Sequence, residues 1–320
     1  MQALAVSLGD PAGIGPELLC EAWLHRETAA LPPFFAVGGA GLLAAAAAMR
    51  GLDIPIAPIA DPAEALAVFP AALPVLDLGG SEGDGEYRPG APDVAGARLA
   101  LASLTSATEH ARQGAAAGIV TGPIAKALLA QVGFDYPGQT EFVARACEIA
   151  DEDAVMLLAG PQLRTVPMTV HCALADVPGL LTIELVVSRC RIVARGLRQD
   201  FGISAPRLAI TGLNPHAGEG GKFGDEELRI IGPAIEALRM EGIDATGPHP
   251  ADALFAPRAR AGYDVAVCMY HDQALIPLKT LDFDAGVNMT LGLPIVRTSP
   301  DHGTAFAIAG QRKADAGATI

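Results

Sequence analysis

Three histidines of the sequence stand directly after short apolar runs: His171 follows VPMTV, His216 follows LAITGLNP and His271 follows VAVCMY. Parallel strands of one sheet end at a common edge, so residues that follow such strands come together there. Three neutral imidazoles bind Zn²⁺ or a related divalent transition metal and leave positions open for a substrate. The pattern therefore predicts a metal site, with Asp272 as a carboxylate that orients a ligand histidine. Three unrelated histidines at strand ends are the alternative.

A second polar series follows later in the chain: Lys279 in PLKTLDF, Asn288 in GVNMTLGLP and Arg297 in PIVRTS. A lysine, an amide and an arginine could together clamp a substrate with two anionic ends. Taken singly, each residue would more often be structural or exposed.

Glycine-rich turns mark further candidate ligand sites. The segment GDPAGIGPE (9–17) follows an apolar run and opens a helix, which would bring backbone N–H groups close to a ligand. It is neither a dinucleotide fingerprint, because Leu18 replaces the third glycine, nor a P-loop, because no Gly-Lys-Ser/Thr follows. Lys126 in TGPIAK and the loop GEGGKFG (218–224) are also candidates for holding an anion. Ordinary tight turns and solvated lysines are the alternative.

Composition excludes several classes of protein. The chain has 320 residues, of which 51% are apolar, and a formal net charge of −14. This apolar content excludes a disordered chain, and the acidic balance argues against nucleic acid and an anionic membrane as partners. Five cysteines without a CxxC pair, and no signal peptide at the N-terminus, predict free thiols and a cytoplasmic location. An uncharged stretch at 28–49 contains Pro-Pro and Gly-Gly pairs, so we expect a strand and a helix there, not a membrane span.

Short apolar runs alternate with helical patterns, which predicts an α/β protein with a mostly parallel sheet. A stretch rich in glycine, proline and acids at 79–92 is predicted to be an exposed loop. The predicted strands are Leu4–Leu8, Phe34–Val37, Gly118–Thr121, Val155–Leu158, Val166–Val170, Leu208–Thr211 and Val265–Met269. The predicted helices are Pro16–His25, Val94–Gln113, Ile124–Gln131, Glu141–Ile149, Ile183–Asp200, Glu226–Glu241 and Pro250–Ala256.

As an ordered set, these motifs resemble the 4-hydroxythreonine-4-phosphate dehydrogenase family of pyridoxal phosphate biosynthesis. The matching segments are GDPAGIGPE, TGPIAK, PGQTEF, GLNPHAGEGG, YHDQALIPLK, VNMTLGLPIVRTS and DHGTA, which extend from Gly9 to Ala305. The resemblance implies two α/β/α domains with a cleft between them, as in isocitrate and isopropylmalate dehydrogenases. We expect residues 1–130 together with 285–320 to form the first, cofactor-side domain. Residues 131–284 would form the second, which carries the metal and the dimer interface.

The resemblance also implies an activity. It is the oxidation of 4-phosphooxy-L-threonine by NAD or NADP, followed by decarboxylation to 3-amino-2-oxopropyl phosphate. A divalent metal (Zn, Co or Mg) would be held by the three histidines in a homodimer with shared active sites, and the match assigns the partner's contribution to His171. The alternatives are a related dehydrogenase for another phosphorylated sugar acid or a dihydrodiol dicarboxylate, or an acyltransferase similar to phosphotransacetylases.

Residue roles carry over on the matching positions. Substrate contacts fall on Thr140, Lys279, Asn288 and Arg297, and Asp272 and Lys279 are the candidate catalytic proton acceptors. Gln139 stands where the family usually has histidine; it can hydrogen-bond the substrate but cannot titrate. The segment 301–310 is similar to the adenine-side loop of isocitrate and isopropylmalate dehydrogenases, and this similarity predicts cofactor contacts at His302, Gly303 and Thr304.

Overall fold

The computed structural model describes residues 2–78 and 87–320, so most of the predicted loop at 79–92 lies outside the described residues. The chain divides into two compact units, Met1–Glu148 with Pro294–Ile320, and Ile149–Leu293. These units place helix Gln139–Ala146 with the N-terminal part and strand Val287–Leu291 with the middle part. The predicted domain boundaries at 130 and 285 instead assign this helix to the second domain and this strand to the first. The helix packs on helix Val94–Arg112, and the strand pairs with Val155–Ala159, which explains the difference.

Parallel strands form the sheet of the first unit, in the order β3-β4-β2-β1-β5-β12. Its central strands are continuous apolar runs because helices cover both faces of a parallel sheet. Ala5 of β1, for example, lies between Phe35 and Ile119 of its two neighbours, and all three are buried. The strands are β1 (Leu4–Ser7), β2 (Phe34–Gly38), β3 (Ile56–Ile59), β4 (Leu73–Asp77), β5 (Ile119–Thr121) and β12 (Arg297–Pro300).

Side-chain hydrogen bonds cap the longest helix of the first unit and anchor it to the sheet. In the helix Val94–Arg112, the Asp93 side chain accepts a hydrogen bond from the Gly96 N–H at 2.7 Å. Ser103 on the buried face donates to the Val37 carbonyl at 2.5 Å and accepts from the Leu8 N–H at 2.8 Å. The helices are α1 (Gly15–Leu24), α2 (Ala40–Arg50), α3 (Ala65–Val68), α4 (Val94–Arg112), α5 (Lys126–Leu129) and α6 (Gln139–Ala146).

The C-terminal segment lies against α1 and α2. Arg50 at the end of α2 donates to the Ala314 carbonyl at 2.7 Å and pairs with buried Glu17 of α1 at 3.1 Å. Arg312 donates to the Met49 carbonyl at 2.8 Å. These contacts attach the last residues of the chain to its first two helices.

The second unit contains a mixed sheet in the order β11-β6-β7-β10-β8-β9. Strand β6 runs antiparallel to both of its neighbours, β11 and β7, whereas β7, β10, β8 and β9 run parallel. The carboxyl ends of these four strands therefore share one edge. The strands are β6 (Val155–Ala159), β7 (Arg164–Pro167), β8 (Arg207–Thr211), β9 (Asp244–His249), β10 (Val265–Cys268) and β11 (Val287–Leu291).

Amphipathic helices cover this second sheet. Thr182 caps the longest of them, Ile183–Gln199, by accepting a hydrogen bond from the Leu185 N–H at 3.0 Å. The apolar face of this helix joins the buried core through Val193 and Leu197. A π-helical turn at Glu227–Ile231 leads into α9. The helices are α7 (Val177–Leu180), α8 (Ile183–Gln199), α9 (Gly232–Met240), α10 (Ala251–Leu254), α11 (Pro257–Arg260) and α12 (His271–Asp282).

All five cysteines are free thiols, and Cys172 is exposed while the other four are buried. Burial raises the pKa of Cys20 and of Cys190 to about 12, so both stay uncharged. None of the helices in residues 2–78 and 87–320 is both long enough and apolar enough to span a membrane.

Candidate active site

Two of the three predicted metal ligands are neighbours in the second unit. Backbone pairing continues beyond the ends of β7 and β10. The Met168 N–H donates to the Cys268 carbonyl at 2.7 Å, and the Thr169 N–H donates to the Met269 carbonyl at 3.2 Å. The ring centroids of His171 and His271 consequently lie 5.9 Å apart, with 43° between the ring planes. Two imidazoles on one divalent cation can adopt such a spacing.

Asp272 orients the second of these histidines. Its Oδ1 lies 2.7 Å from His271 Nδ1. A neutral His271 that carries its proton on Nδ1 donates to this carboxylate and presents the Nε2 lone pair to a metal. This carboxylate–histidine pair is the arrangement found behind metal-ligating histidines, so the chemistry of the donor set fits a divalent cation.

His216 lies in a left-handed turn. Five consecutive residues, His216–Gly220, have φ between +43° and +75°, and three of them are not glycine. This conformation costs an L-residue about 1–2 kcal/mol, so the surrounding contacts must hold the turn. Among the residues that the structure describes, no three His, Cys, Asp or Glu side chains form a group that could hold a metal. One chain thus brings His171 and His271 together without His216, and the three-histidine site stays a prediction.

Gln273 connects the strand ends that carry these histidines, and sequence reasoning missed it. Its buried side chain accepts from the Met269 N–H at 2.7 Å and from the Thr211 hydroxyl at 2.8 Å, and donates to the Gly212 carbonyl at 2.9 Å. The amide therefore ties the end of β10 to the end of β8. Its position two residues after His271 was the available signal.

Asn288 and Lys279 belong to the same unit. Asn288 lies on β11 opposite Leu158, and its Oδ1 is buried without a hydrogen-bond partner among the described residues. A buried acceptor in this state costs free energy unless a donor reaches it, as an amino or hydroxyl group of a ligand would. Lys279 lies on α12, with Nζ 6.0 Å from the ring centroid of Phe283.

The first unit holds a separate polar cluster around Arg297, the first residue of β12. Arg297 is only 4% exposed. Its Nη2 donates to Thr121 Oγ1 at 2.8 Å and to Gln139 Oε1 at 3.4 Å, and its Nη1 donates to Thr140 Oγ1 at 3.2 Å. Burial lowers the pKa of Arg297 to about 10, an effect that the negative charge of Glu141 opposes. The cluster therefore holds a desolvated cation that an anionic ligand would stabilise.

The N-terminus of α6 lies beside this guanidinium. Gln139, its first residue, donates from Nε2 to the Gly122 carbonyl at 2.8 Å, so both ends of this amide are engaged. A Cβ on Gly138 would lie 3.0 Å from Glu141 Oε2 and 3.5 Å from Lys126 Nζ. A helix N-terminus with an arginine and a lysine beside it is suited to bind a phosphate or carboxylate.

The predicted cofactor residues pack against the first glycine-rich loop. The Thr304 carbonyl accepts from the Ile14 N–H at 3.0 Å, and a Cβ on Gly13 would lie 2.8 Å from the same carbonyl oxygen. A Cβ on Gly303 would meet no atom within 4 Å, so the space beside this glycine is open. The His302 ring lies 3.5 Å from the Thr319 hydroxyl. Cofactor binding at His302, Gly303 and Thr304 stays a prediction, but Thr304 packs against the buried loop GDPAGIGPE.

Asp10 in that loop is a further residue that the sequence analysis did not assign. It is buried, and its Oδ1 accepts from the Ala12 N–H at 3.0 Å. Its N–H donates to the Pro123 carbonyl at 2.8 Å, which joins the loop to TGPIAK. Burial raises the pKa of this carboxyl.

Comparison with known proteins identifies the family. The family model of the pyridoxal phosphate biosynthetic protein PdxA matches residues 30–320. The chain is 63% identical to a 4-hydroxythreonine-4-phosphate dehydrogenase of Erythrobacter litoralis, over 99% of this chain and 93% of that protein. It is 54% identical to the enzyme of the same name from Zymomonas mobilis, over 100% of this chain and 93% of that protein. A crystal structure of the Klebsiella pneumoniae enzyme of this name is similar, with a TM-score of 0.88 and 38% identity, over 99% of this chain and 96% of that one. The chain therefore belongs to the PdxA family.

Proposed function

We propose that the chain is a 4-hydroxythreonine-4-phosphate dehydrogenase of pyridoxal phosphate biosynthesis. The observation that carries this proposal is 63% identity to a relative of that name over 99% of the chain. The reaction would oxidise the C3 hydroxyl of 4-phosphooxy-L-threonine: hydride passes to NAD or NADP and the hydroxyl proton passes to the protein. The resulting β-keto acid would lose CO₂ and take up a proton, which gives 3-amino-2-oxopropyl phosphate.

Arg297 and the N-terminus of α6 would hold an anionic group of the substrate. Support comes from the buried guanidinium, its hydrogen bonds to Thr121 and Thr140, and the helix N–H groups beside it. Gln139 fixes this geometry by contacting both Arg297 and the Gly122 carbonyl. Fixed donors bind an anion without having to reorganise first, which positions the reacting carbon.

Asn288 and Lys279 would also contact the substrate. The buried Asn288 Oδ1 suits the substrate amino or hydroxyl group as a donor. Asp272 and Lys279 are the candidates to take up the hydroxyl proton, and Lys279 can do so only as the neutral amine. Asp272 lies at His271 Nδ1, so it would also orient this ligand histidine.

His171, His216 and His271 would hold the divalent cation, Zn²⁺, Co²⁺ or Mg²⁺. When bound, such a cation supplies a Lewis acid that polarises the substrate oxygen during both oxidation and decarboxylation. The His171–His271 pair supports this assignment. We propose that a homodimer completes the set with a histidine from a second subunit.

The test is a panel of substrates followed by the absorbance of the reduced nicotinamide. Candidates are 4-phosphooxy-L-threonine, other phosphorylated sugar acids and a dihydrodiol dicarboxylate, each with NAD and with NADP. EDTA should abolish turnover and an added divalent metal should restore it. Turnover of another acid without turnover of 4-phosphooxy-L-threonine would reject the proposed substrate. Activity that survives complete metal removal would reject the proposed metal dependence.

A further inference from the structure

We propose that Glu227 is a positioning residue for His216: its buried carboxylate holds the left-handed turn that presents this histidine. The inference rests on the proposed function, since it concerns a predicted metal ligand. Glu227 begins the π-helical turn before α9 and is 4% exposed. A buried carboxylate must be satisfied by hydrogen bonds or by a cation.

The partners of Glu227 lie in the segment that leads to His216. Glu227 Oε1 accepts from the backbone N–H of Asn214 at 2.7 Å, and Oε2 accepts from Asn214 Nδ2 at 3.0 Å. In the described part of the chain, no Lys, Arg or His forms an ion pair with it. One carboxylate therefore accepts hydrogen bonds from both the backbone and the side chain of Asn214, two positions before His216.

Two glycines make room for this carboxylate. A Cβ on Gly212 would lie 3.0 Å from Glu227 Oε1, and a Cβ on Gly218 would lie 2.5 Å from Oε2. The carboxylate thus fills the space enclosed by the turn on both sides of His216. Gly220, by contrast, has a similar left-handed backbone, with φ +68°, but a Cβ there would meet no atom within 4 Å.

The turn needs an external restraint. His216, Ala217 and Glu219 all have positive φ, a conformation that L-residues leave when nothing holds them. Inside the turn, the Ala217 N–H donates to the Asn214 carbonyl at 3.1 Å. The hydrogen bonds from Asn214 to Glu227 fix the start of the turn, and with it the direction in which His216 leaves the backbone.

The experiment measures Co²⁺ affinity of the full-length protein after its metal has been removed, by titration and by the cobalt absorption bands. Glu227→Gln keeps the size of the side chain but replaces one acceptor oxygen with a donor that opposes the N–H groups of Asn214. Its Co²⁺ affinity should fall about ten- to a hundredfold, as is typical when partners behind metal ligands are lost. Glu236→Gln, an exposed acid paired with Arg239, is the matched control for charge and should not change it.

A pair of glycine variants tests the same contact from the other side. Gly218→Ala and Gly220→Ala both place alanine at positive φ, but only the first pushes against Glu227. Gly218→Ala should therefore weaken Co²⁺ binding as Glu227→Gln does, and Gly220→Ala should leave it near the parental value. If Glu227→Gln does not fold, as judged by thermal unfolding, the glycine pair decides.

The outcomes separate this inference from the proposed function. Loss of Co²⁺ affinity in His216→Ala, with parental affinity in Glu227→Gln and Gly218→Ala, would overturn the positioning role alone. Parental affinity in His216→Ala would overturn the predicted metal site together with the inference. Equal losses in Gly218→Ala and Gly220→Ala would assign the effect to backbone strain and also reject the role of Glu227.

Discussion

Arg297 donates a 2.8 Å hydrogen bond to the hydroxyl of Thr121, although the two residues are 176 positions apart in the chain. Adjacent parallel strands β5 and β12 create this contact, since Arg297 pairs with Ile119 in register. Burial of the guanidinium lowers its pKa to about 10, which still leaves it charged near neutral pH. The first unit thus keeps a buried cation at the start of β12, where hydroxyl and amide oxygens accept its hydrogen bonds.

Replacing this arginine with lysine should damage substrate binding. Lysine carries a compact charge and cannot donate to Thr121 and Thr140 from one planar fork. Loss of one charged hydrogen bond to the substrate is worth about 1.5–3 kcal/mol, so Arg297→Lys should lower kcat/KM about ten- to a hundredfold, mainly through KM. Arg112→Lys, at an exposed pair with Glu109, is the control. A parental KM in a folded Arg297→Lys protein would remove this residue from the substrate site.

Gln139 should contribute to catalysis through the two hydrogen bonds of its side-chain amide. Gln139→Ala removes both the contact to Arg297 and that to the Gly122 carbonyl, and we expect kcat/KM to fall about ten- to a hundredfold. Gln139→His should keep activity on 4-phosphooxy-L-threonine and add a pH dependence near neutrality, because an imidazole titrates there. Gln131→Ala, exposed on the neighbouring turn, serves as control. An unchanged kcat/KM in Gln139→Ala would contradict the role. Activity that appears only with histidine would indicate a different natural substrate.

Mixing inactive histidine variants should show which ligand comes from the partner. With His171 supplied in trans, as the family resemblance implies, His171→Ala mixed with His271→Ala should regain activity. After random subunit exchange half of the dimers are hybrids with one intact site, so about a quarter of parental activity should return. The mixture of His216→Ala and His271→Ala should stay inactive.

His171 and His271 lie close together within one chain, so the same experiment also tests whether His216 is the ligand that the partner supplies. If His216 is the ligand supplied in trans, His216→Ala regains activity when mixed with His271→Ala or with His171→Ala, and the mixture of His171→Ala with His271→Ala does not. If no mixture regains activity after verified exchange, the site is not shared between subunits.

Stability should fall on mild acidification because of His249. Burial lowers the pKa of this histidine below its ordinary value of about 6.5, so the unfolded chain takes up the proton first as the pH falls. The native state then loses stability from about pH 6.5 down to the lowered pKa, and is fully stabilised only above this range. His249→Gln should flatten the pH dependence of urea unfolding in this window, whereas the surface variant His25→Gln should not. An unchanged slope in His249→Gln would assign the acid sensitivity to other groups.

Seven of the twelve strands that the structure describes were predicted from sequence, and β3, β4, β9, β11 and β12 were not. Phe34–Gly38 is buried throughout, and a continuous apolar run marks such a strand. The strands Ile56–Ile59 and Asp244–His249 lie at the ends of the strand orders, where exposure removes that pattern, and each carries a proline. Helix His271–Asp282 was missed because it begins with polar residues and contains Pro277.

Residues of the candidate site were predictable where they follow interior strands. The His171–His271 pair and the contact of Asp272 with His271 follow from strand ends and chain neighbourhood. The left-handed turn at His216–Gly220 could not be predicted. Three of its residues are not glycine, and their types carry no local signal for positive φ. The contacts of Arg297 were equally hidden, since they depend on register between strands that are distant in sequence.

The position of β12 also bears on how the chain is made. β12 lies beside β5 in the first sheet, yet it is formed by Arg297–Pro300, which leaves the ribosome only after the whole of the middle unit. Ile149–Leu293, by contrast, is one uninterrupted stretch. During synthesis, the middle unit can therefore fold as soon as it emerges. The first unit must wait with one side of β5 uncovered until the whole middle unit and then Arg297–Pro300 have emerged. This places an interval of aggregation risk between the synthesis of β5 and that of β12.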